Sequence, residues 1–237
     1  MAAVLDEAAA AGVTQVVAMG QDRASMAAAL DFKRRFPARV LAGLGVHPVN
    51  VTQRPPEQIE TDLEYMAAHV AEADVVGETG LDHKWATDAA QQTRQDQILS
   101  RQLELAERFR LPVNLHSRRC LRQVMERAID YTCATGLGAQ LHWFTHSRKL
   151  VRQTNEAGVY VSVGPSVLDD EQVQAVALEI AAELLLVETD APVQIGGQPG
   201  HPRRAREVAE KLAVLRGVSL EDLAALTAAN HRRYLGD

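Results

Sequence analysis

Cysteine, aromatic side chains, positive charge and long apolar runs are all scarce in this chain of 237 residues. Each shortage excludes something. The two cysteines, Cys120 and Cys133, cannot form a disulfide framework at this length. They fit a cytoplasmic setting, where thiols stay reduced. The net charge is −6, with no basic domain or lysine-rich tail. That excludes a nonspecific coat on duplex DNA. A negative chain can still take a nucleic-acid end locally, where a metal ion and a few arginines line a pocket. Aromatics make up 4% of the chain, which leaves few platforms for stacking bases. Trp85 and Trp143 are the obvious ones, with packing the simpler reading of Trp143. The longest apolar stretches, AVLDEAAAAGVTQVVAMG and VQAVALEIAAELLLV, are interrupted by acids, so no membrane span is expected. The N-terminus carries no charged leader or apolar signal core, and no export signal is read. No obligate protein partner is evident.

What the chain does have is alternation. Seven short apolar runs recur: TQVVAMG (14–20), RVLAGLGVHP (39–48), ADVVGETG (73–80), LPVNLHS (111–117), GAQLHWF (138–144), GVYVSVGPS (158–166) and ELLLVETDAP (183–192). Their near-continuous apolar character predicts strands buried on both faces, as in parallel sheets. Stretches such as QIETDLEYMAAHVAE and QQTRQDQILSRQLELAERF place apolar residues at helical spacing. The pattern is α/β, with helices flanking a parallel sheet. No linker or composition break divides it, so residues 1–237 read as one domain. QIGGQPGHPRR (194–204) is a Gly/Pro loop ahead of a helix.

Strand ends choose between a barrel and an open sheet. The second run ends at His47, the third at Glu78, the fourth at His116, the fifth at His142 and the seventh at Asp190. A TIM-type (β/α) barrel brings all such ends to one face. Glu78, His116, His142 and Asp190 converging there would make a divalent-metal site. A cation would also explain Glu78, a carboxylate at the end of an apolar strand. His47 precedes Pro48, is held extended by it, and is a candidate substrate contact.

Other patterns lead nowhere. His142 and His146 form H-x-x-x-H, but Trp143 stands where a zinc protease needs glutamate. No nucleophile elbow or P-loop is present. Cys120 follows Arg119 with no base partner, and packing explains it.

In this order GVHP, VVGETGLD, LPVNLHSR, LHWF, LLVETDAP and the closing AANHRRYLG resemble the TatD-type metal-dependent deoxyribonucleases, within the amidohydrolase-like barrels. The likeness covers nearly the whole chain. It implies a distorted TIM-type barrel with one or two divalent ions: zinc, manganese or magnesium. It implies that Glu78 bridges, that His116 and His142 hold one metal with it, and that Asp190 binds the other metal or accepts the attacking water's proton. Arg118, in an H-x-R pattern after His116, becomes a candidate phosphate contact. Asp82 is either a partner of the site or an Asx turn.

The family usually opens on a strand carrying D-x-H-x-H, and no H-x-H occurs here. Taken literally, the chain has seven strands and an unpaired seam. Lower stability, or pairing with a second copy, is then expected. The resemblance implies hydrolysis of phosphodiesters by metal-activated water, with single-stranded DNA or DNA ends as substrate. Two alternatives stand beside it. One is hydrolysis of a small amide, lactone or phosphoester by the same site. The other is a metal-binding protein that lacks activity without the first-strand histidines. The arginines Arg118, Arg119, Arg203 and Arg204 discriminate: in the pocket they favour phosphate.

Overall fold

A computed structural model describes residues 1–144 and 147–236. Each apolar run holds one strand: β1 Val16–Met19, β2 Val40–Leu44, β3 Val75–Asp82, β4 Val113–Arg118, β5 Ala139–Leu141, β6 Tyr160–Val163 and β7 Leu185–Val187. They form one sheet in chain order, every neighbour parallel. Parallel neighbours need long crossovers, which the helices supply. A doubly wound sheet reverses its strand order at a switch point. This sheet has no reversal, and the α/β architecture is TIM-like. Among the described residues β1 and β7 are the sheet's edges.

Adjacent residues in a strand serve opposite cores, as the period of two requires. Val76, Val161 and Leu185 face the helices and join Met26, Leu30, Met66, Leu99 and Leu212 in the main cluster. Val75, Tyr160 and Leu186 face inward and pack on Tyr234, with Val17 and Met19 beside them. Burial on both faces is why the runs lack polar alternation. Each fully buried large side chain contributes roughly 1.5–3 kcal/mol.

The inner cluster sits at the strands' amino ends. It is closed by the C-terminal helix Leu220–Leu235. Asn230 donates from Nδ2 to the carbonyls of Ala182 (2.7 Å) and Leu185 (2.8 Å), fastening that helix to the start of β7. Tyr234 meets Tyr160 edge-on, with ring centroids 5.4 Å apart. Higher along the same inner face stand Asn114 then His116 on β4, and Gln140 then His142 at β5. The interior thus grades from apolar to polar toward the carboxyl ends. No helix among the described residues is long and apolar enough to cross a membrane.

Candidate metal centre

Glu78 enters the interior through an irregularity in β3. Between Val76↔Val113 and Thr79↔Leu115 that strand advances three residues while β4 advances two. The extra residue makes a bulge, which re-aims side chains. Strict alternation from Val75 would turn Glu78 toward the helices; the bulge turns it inward. Two residues on, Gly80 lies opposite His116 at φ +141°, and a Cβ there would stand 2.1 Å from the His116 carbonyl oxygen. Only glycine permits that approach.

Glu78 is 6% exposed and is the hub of the site. Its Oε2 accepts from Gln21 Nε2 at 2.9 Å. Its Oε1 faces three rings: His116 Nδ1 at 3.0 Å, His47 Nε2 at 3.4 Å and His142 Nε2 at 3.6 Å. Burial works against the charged carboxylate, but His142, His116 and His47 outweigh it and hold Glu78 well below the usual carboxylate range.

His116, on β4, uses both ring nitrogens. Its Nε2 reaches Asp82 Oδ2 at 3.1 Å. Asp82 also accepts the Lys84 backbone N–H at 3.0 Å, so it makes the Asx turn and holds the histidine at once. Burial disfavours the His116 cation, yet Asp82 and Glu78 raise its pKa. His142 stands one residue past β5, its backbone N–H bonded to the Leu115 carbonyl at 3.0 Å. Its Nδ1 meets Glu188 Oε2 at 2.6 Å, and its Nε2 lies 3.7 Å from Asp190 Oδ1. Burial opposes charge here too, but Glu188, Glu78 and Asp190 push the ring up to about 10. Asp190 holds φ +49°, a left-handed conformation that aspartate tolerates better than most residues. Burial raises its carboxyl to about 6, against the pull of His142.

His47 caps the helix Pro48–Gln53, its Nδ1 accepting the Val49 backbone N–H at 3.2 Å. A neutral His47 ring therefore carries its proton on Nε2 and faces Glu78 as a donor. The ligand atoms of His47, Glu78 and His116 all lie within 4.8 Å of one another.

Four carboxylates, Glu78, Asp82, Glu188 and Asp190, crowd three imidazoles in a mostly buried space. Buried charge on this scale calls for compensation, and a divalent cation would supply it. The donor spacing fits. Ligands about 2.0–2.1 Å from a tetrahedral ion stand about 3.3 Å apart, and the His116–Glu78 and Glu78–His47 separations of 3.0 and 3.4 Å bracket that value, so the donors grouped at that spacing are His47, Glu78 and His116, with His142 3.6 Å from Glu78 outside the group.

The arginines divide. Arg118 ends β4 beside Asp82 and is exposed at the mouth of the site, and Arg119 follows at φ +62°. Arg203 instead pairs with Glu7 at 3.3 Å. Arg204 is buried and pairs with Glu207 at 3.2 Å. Trp85 is 43% exposed in the turn after Asp82, with Lys84 Nζ 5.9 Å from its ring centroid. Trp143 is half-buried edge-on to His142. Burial raises the Cys120 thiol, in keeping with a packed cysteine. His146 lies outside the described residues.

Three participants escaped the sequence reading: Gln21 after β1, Ser162 on β6 and Glu188 after β7. Ser162 donates from Oγ to Glu188 Oε2 at 2.7 Å. Glu188 carried a signal, because it directly follows the end of β7 as an acid in an apolar run. Gln21 and Ser162 carried none.

Comparison with known proteins extends the likeness. The family described as "TatD related DNase" matches residues 1–236. An uncharacterized metal-dependent hydrolase, YabD, of Bacillus subtilis (strain 168) is 29% identical, over 97% of this chain and 90% of its own. The 3'-5' ssDNA/RNA exonuclease TatD of Salmonella typhimurium is 29% identical over the same shares, 97% and 90%. The crystal structure of YJJV, a TatD homolog from Escherichia coli K12, superimposes with a TM-score of 0.86 at 27% identity, covering 100% of this chain and 92% of that one.

Proposed function

Because the chain belongs to the TatD-related DNase family of metal-dependent hydrolases, we propose that it hydrolyses phosphodiester bonds in single-stranded DNA or at DNA ends. The observation that carries this is the convergence of Glu78 and His116, which lie within β3 and β4 rather than at their ends as the sequence predicted, with His142 and Asp190, which lie past the ends of β5 and β7. In this reading residues 1–237 act as one hydrolase domain, and these four side chains hold one or two ions of zinc, manganese or magnesium. Two imidazoles with carboxylates favour zinc or manganese, since magnesium prefers oxygen ligands. A divalent ion there would supply Lewis-acid polarisation of the phosphoryl group and acidify water.

The chain's own residues do the rest. Asp190 either takes the proton of the attacking water through Oδ1 or holds a second ion. Glu78 anchors the ligand set. The His47 Nε2–H donates to a phosphoryl oxygen, and Arg118 adds positive charge at the mouth. Arg118 supports phosphate over a small neutral substrate, while Arg203 and Arg204 are spent elsewhere. A cytoplasmic setting, where both thiols stay reduced, belongs to the same reading.

The test is release of nucleotides from labelled single-stranded DNA with added manganese or magnesium. Activity should appear with metal, vanish with chelator, and fall about a hundred- to a thousandfold in Glu78→Ala, the scale lost with a group that stabilises the transition state. Equal turnover by Glu78→Ala would overturn the reading. A folded, metal-loaded protein without turnover would favour a metal-binding protein.

A further inference from the structure

Two glutamines on the helix Ala89–Phe109 are buried, Gln95 at 1% exposure and Gln102 at 0%. A buried amide costs free energy unless both its ends are bonded, and packing alone would be served by leucine. The two stand seven residues apart, on one helix face and about two turns from each other. Both reach the residues that flank His47. Gln102 Oε1 accepts the Val46 N–H at 2.7 Å, and its Nε2 donates to the Val46 carbonyl at 3.1 Å. Gln95 Nε2 donates to the Pro48 carbonyl at 2.9 Å and to Thr52 Oγ1 at 2.8 Å, while its Oε1 accepts the Asp82 N–H at 2.9 Å. Between the two glutamines, Ile98 joins Val46 and Val51 in a small apolar cluster separate from the main one. His47 donates its backbone N–H to the Gln21 carbonyl at 3.1 Å, and its carbonyl accepts the Val51 N–H at 3.2 Å. With Nδ1 taken by the Val49 N–H, the ring presents Nε2 to the site, 3.4 Å from Glu78 Oε1.

We propose that Gln95 and Gln102 are positioning residues for His47, two buried amides that hold its Nε2 at one place in the substrate pocket. β2 ends at Leu44, so Val46 lies beyond the sheet ladder, and Gln102 supplies both of its backbone bonds. Gln95 adds a second link. It ties the His47 loop to the end of β3, the strand that carries Glu78, so that ring and carboxylate move as one piece. The proposal rests on the reading of His47 as donor to a phosphoryl oxygen. Such a donor is effective when it already stands where charge develops, and a misplacement of about 1 Å costs about a hundredfold. Neither glutamine touches substrate; each acts through His47.

The experiment uses the full chain with manganese and labelled single-stranded DNA. It compares Gln95→Met and Gln102→Met in two backgrounds, one with His47 and one carrying His47→Ala. Methionine keeps the length of the side chain and removes the amide. Each glutamine variant should lower kcat/KM about 10- to 100-fold where His47 is present. Where His47 is absent the loss should be under about twofold, because nothing remains to be positioned. Losses of equal size in both backgrounds would overturn the proposal, since a purely structural role predicts them. So would an unaltered kcat/KM in His47→Ala. A readout independent of turnover is the nitrogen-15 spectrum of the histidine rings in the metal-free chain. The His47 Nδ1 and Nε2 signals, assigned by their loss in His47→Ala, should move toward those of a free imidazole in both folded glutamine variants. Signals that stay in place would overturn the proposal. If the unaltered chain cleaves no DNA, the phosphodiesterase reading fails, and the ring signals alone decide whether the glutamines hold His47.

Discussion

The two ends of the seven strands obey different rules. At the amino ends Val17, Val75, Tyr160, Leu186 and Tyr234 pack without a charge among them. At the carboxyl ends four carboxylates and three imidazoles share a small space, glycines replace side chains, and Asp190 holds a left-handed backbone. One end accumulates burial energy, and the other holds charge that costs stability unless something compensates it. Parallel barrels separate these tasks along one strand, since every carboxyl end reaches the same face.

That separation can be broken from either side. The largest stability effect should come from Tyr234→Ala at the apolar end. Truncating a buried aromatic ring costs about 3–5 kcal/mol, read as a lower denaturant midpoint. The protein that remains folded should bind metal as before. Weakened binding in the folded fraction would mean that the two ends are coupled.

A smaller loss is expected from Gly80→Ala, about 1–3 kcal/mol for a side chain in a forbidden conformation. Here the loss should be shared. The new Cβ displaces His116, so metal affinity falls along with stability. Unchanged affinity would show that His116 does not depend on the close approach at Gly80.

The subtlest contrast lies in pH. His142 is raised from 6.5 to about 10. A raised histidine stabilises the fold fully below its unfolded value and loses that contribution as pH climbs through the folded value. Asp190, raised from 3.8 to about 6, has the same sign: its contribution is lost as pH rises through about 6. In chelator, therefore, the melting temperature should decline between pH 6 and 10. With manganese bound the gap should widen with pH, because binding displaces protons from the ligands. Parallel melting curves with and without metal would refute this.

The same division explains what the sequence made legible. The strands stood out because both faces are buried, which produced apolar runs without polar alternation. Glu78, His116, His142 and Asp190 stood out because acids and imidazoles are conspicuous where such runs end. Glu188 is equally conspicuous in VETD, an acid directly after the end of β7. Gln21 and Ser162 are common residue types with no chemical mark, and only their distances to Glu78 and Glu188 reveal them. The bulge that turns Glu78 inward is a register event between two strands, and neither strand's sequence displays it alone. The four arginines offered as a discriminator separate: Arg118 ends β4 opposite Asp82, while Arg203 and Arg204 form ion pairs with Glu7 and Glu207.

Asn230 and Tyr234 belong to a helix that follows every strand in the chain, yet they hold the start of β7 and floor the interior. During synthesis the strands therefore emerge before the helix that fastens them. A nascent chain stalled after Asp190 already carries every candidate ligand, but β7 lacks its anchor and the apolar interior lacks its floor.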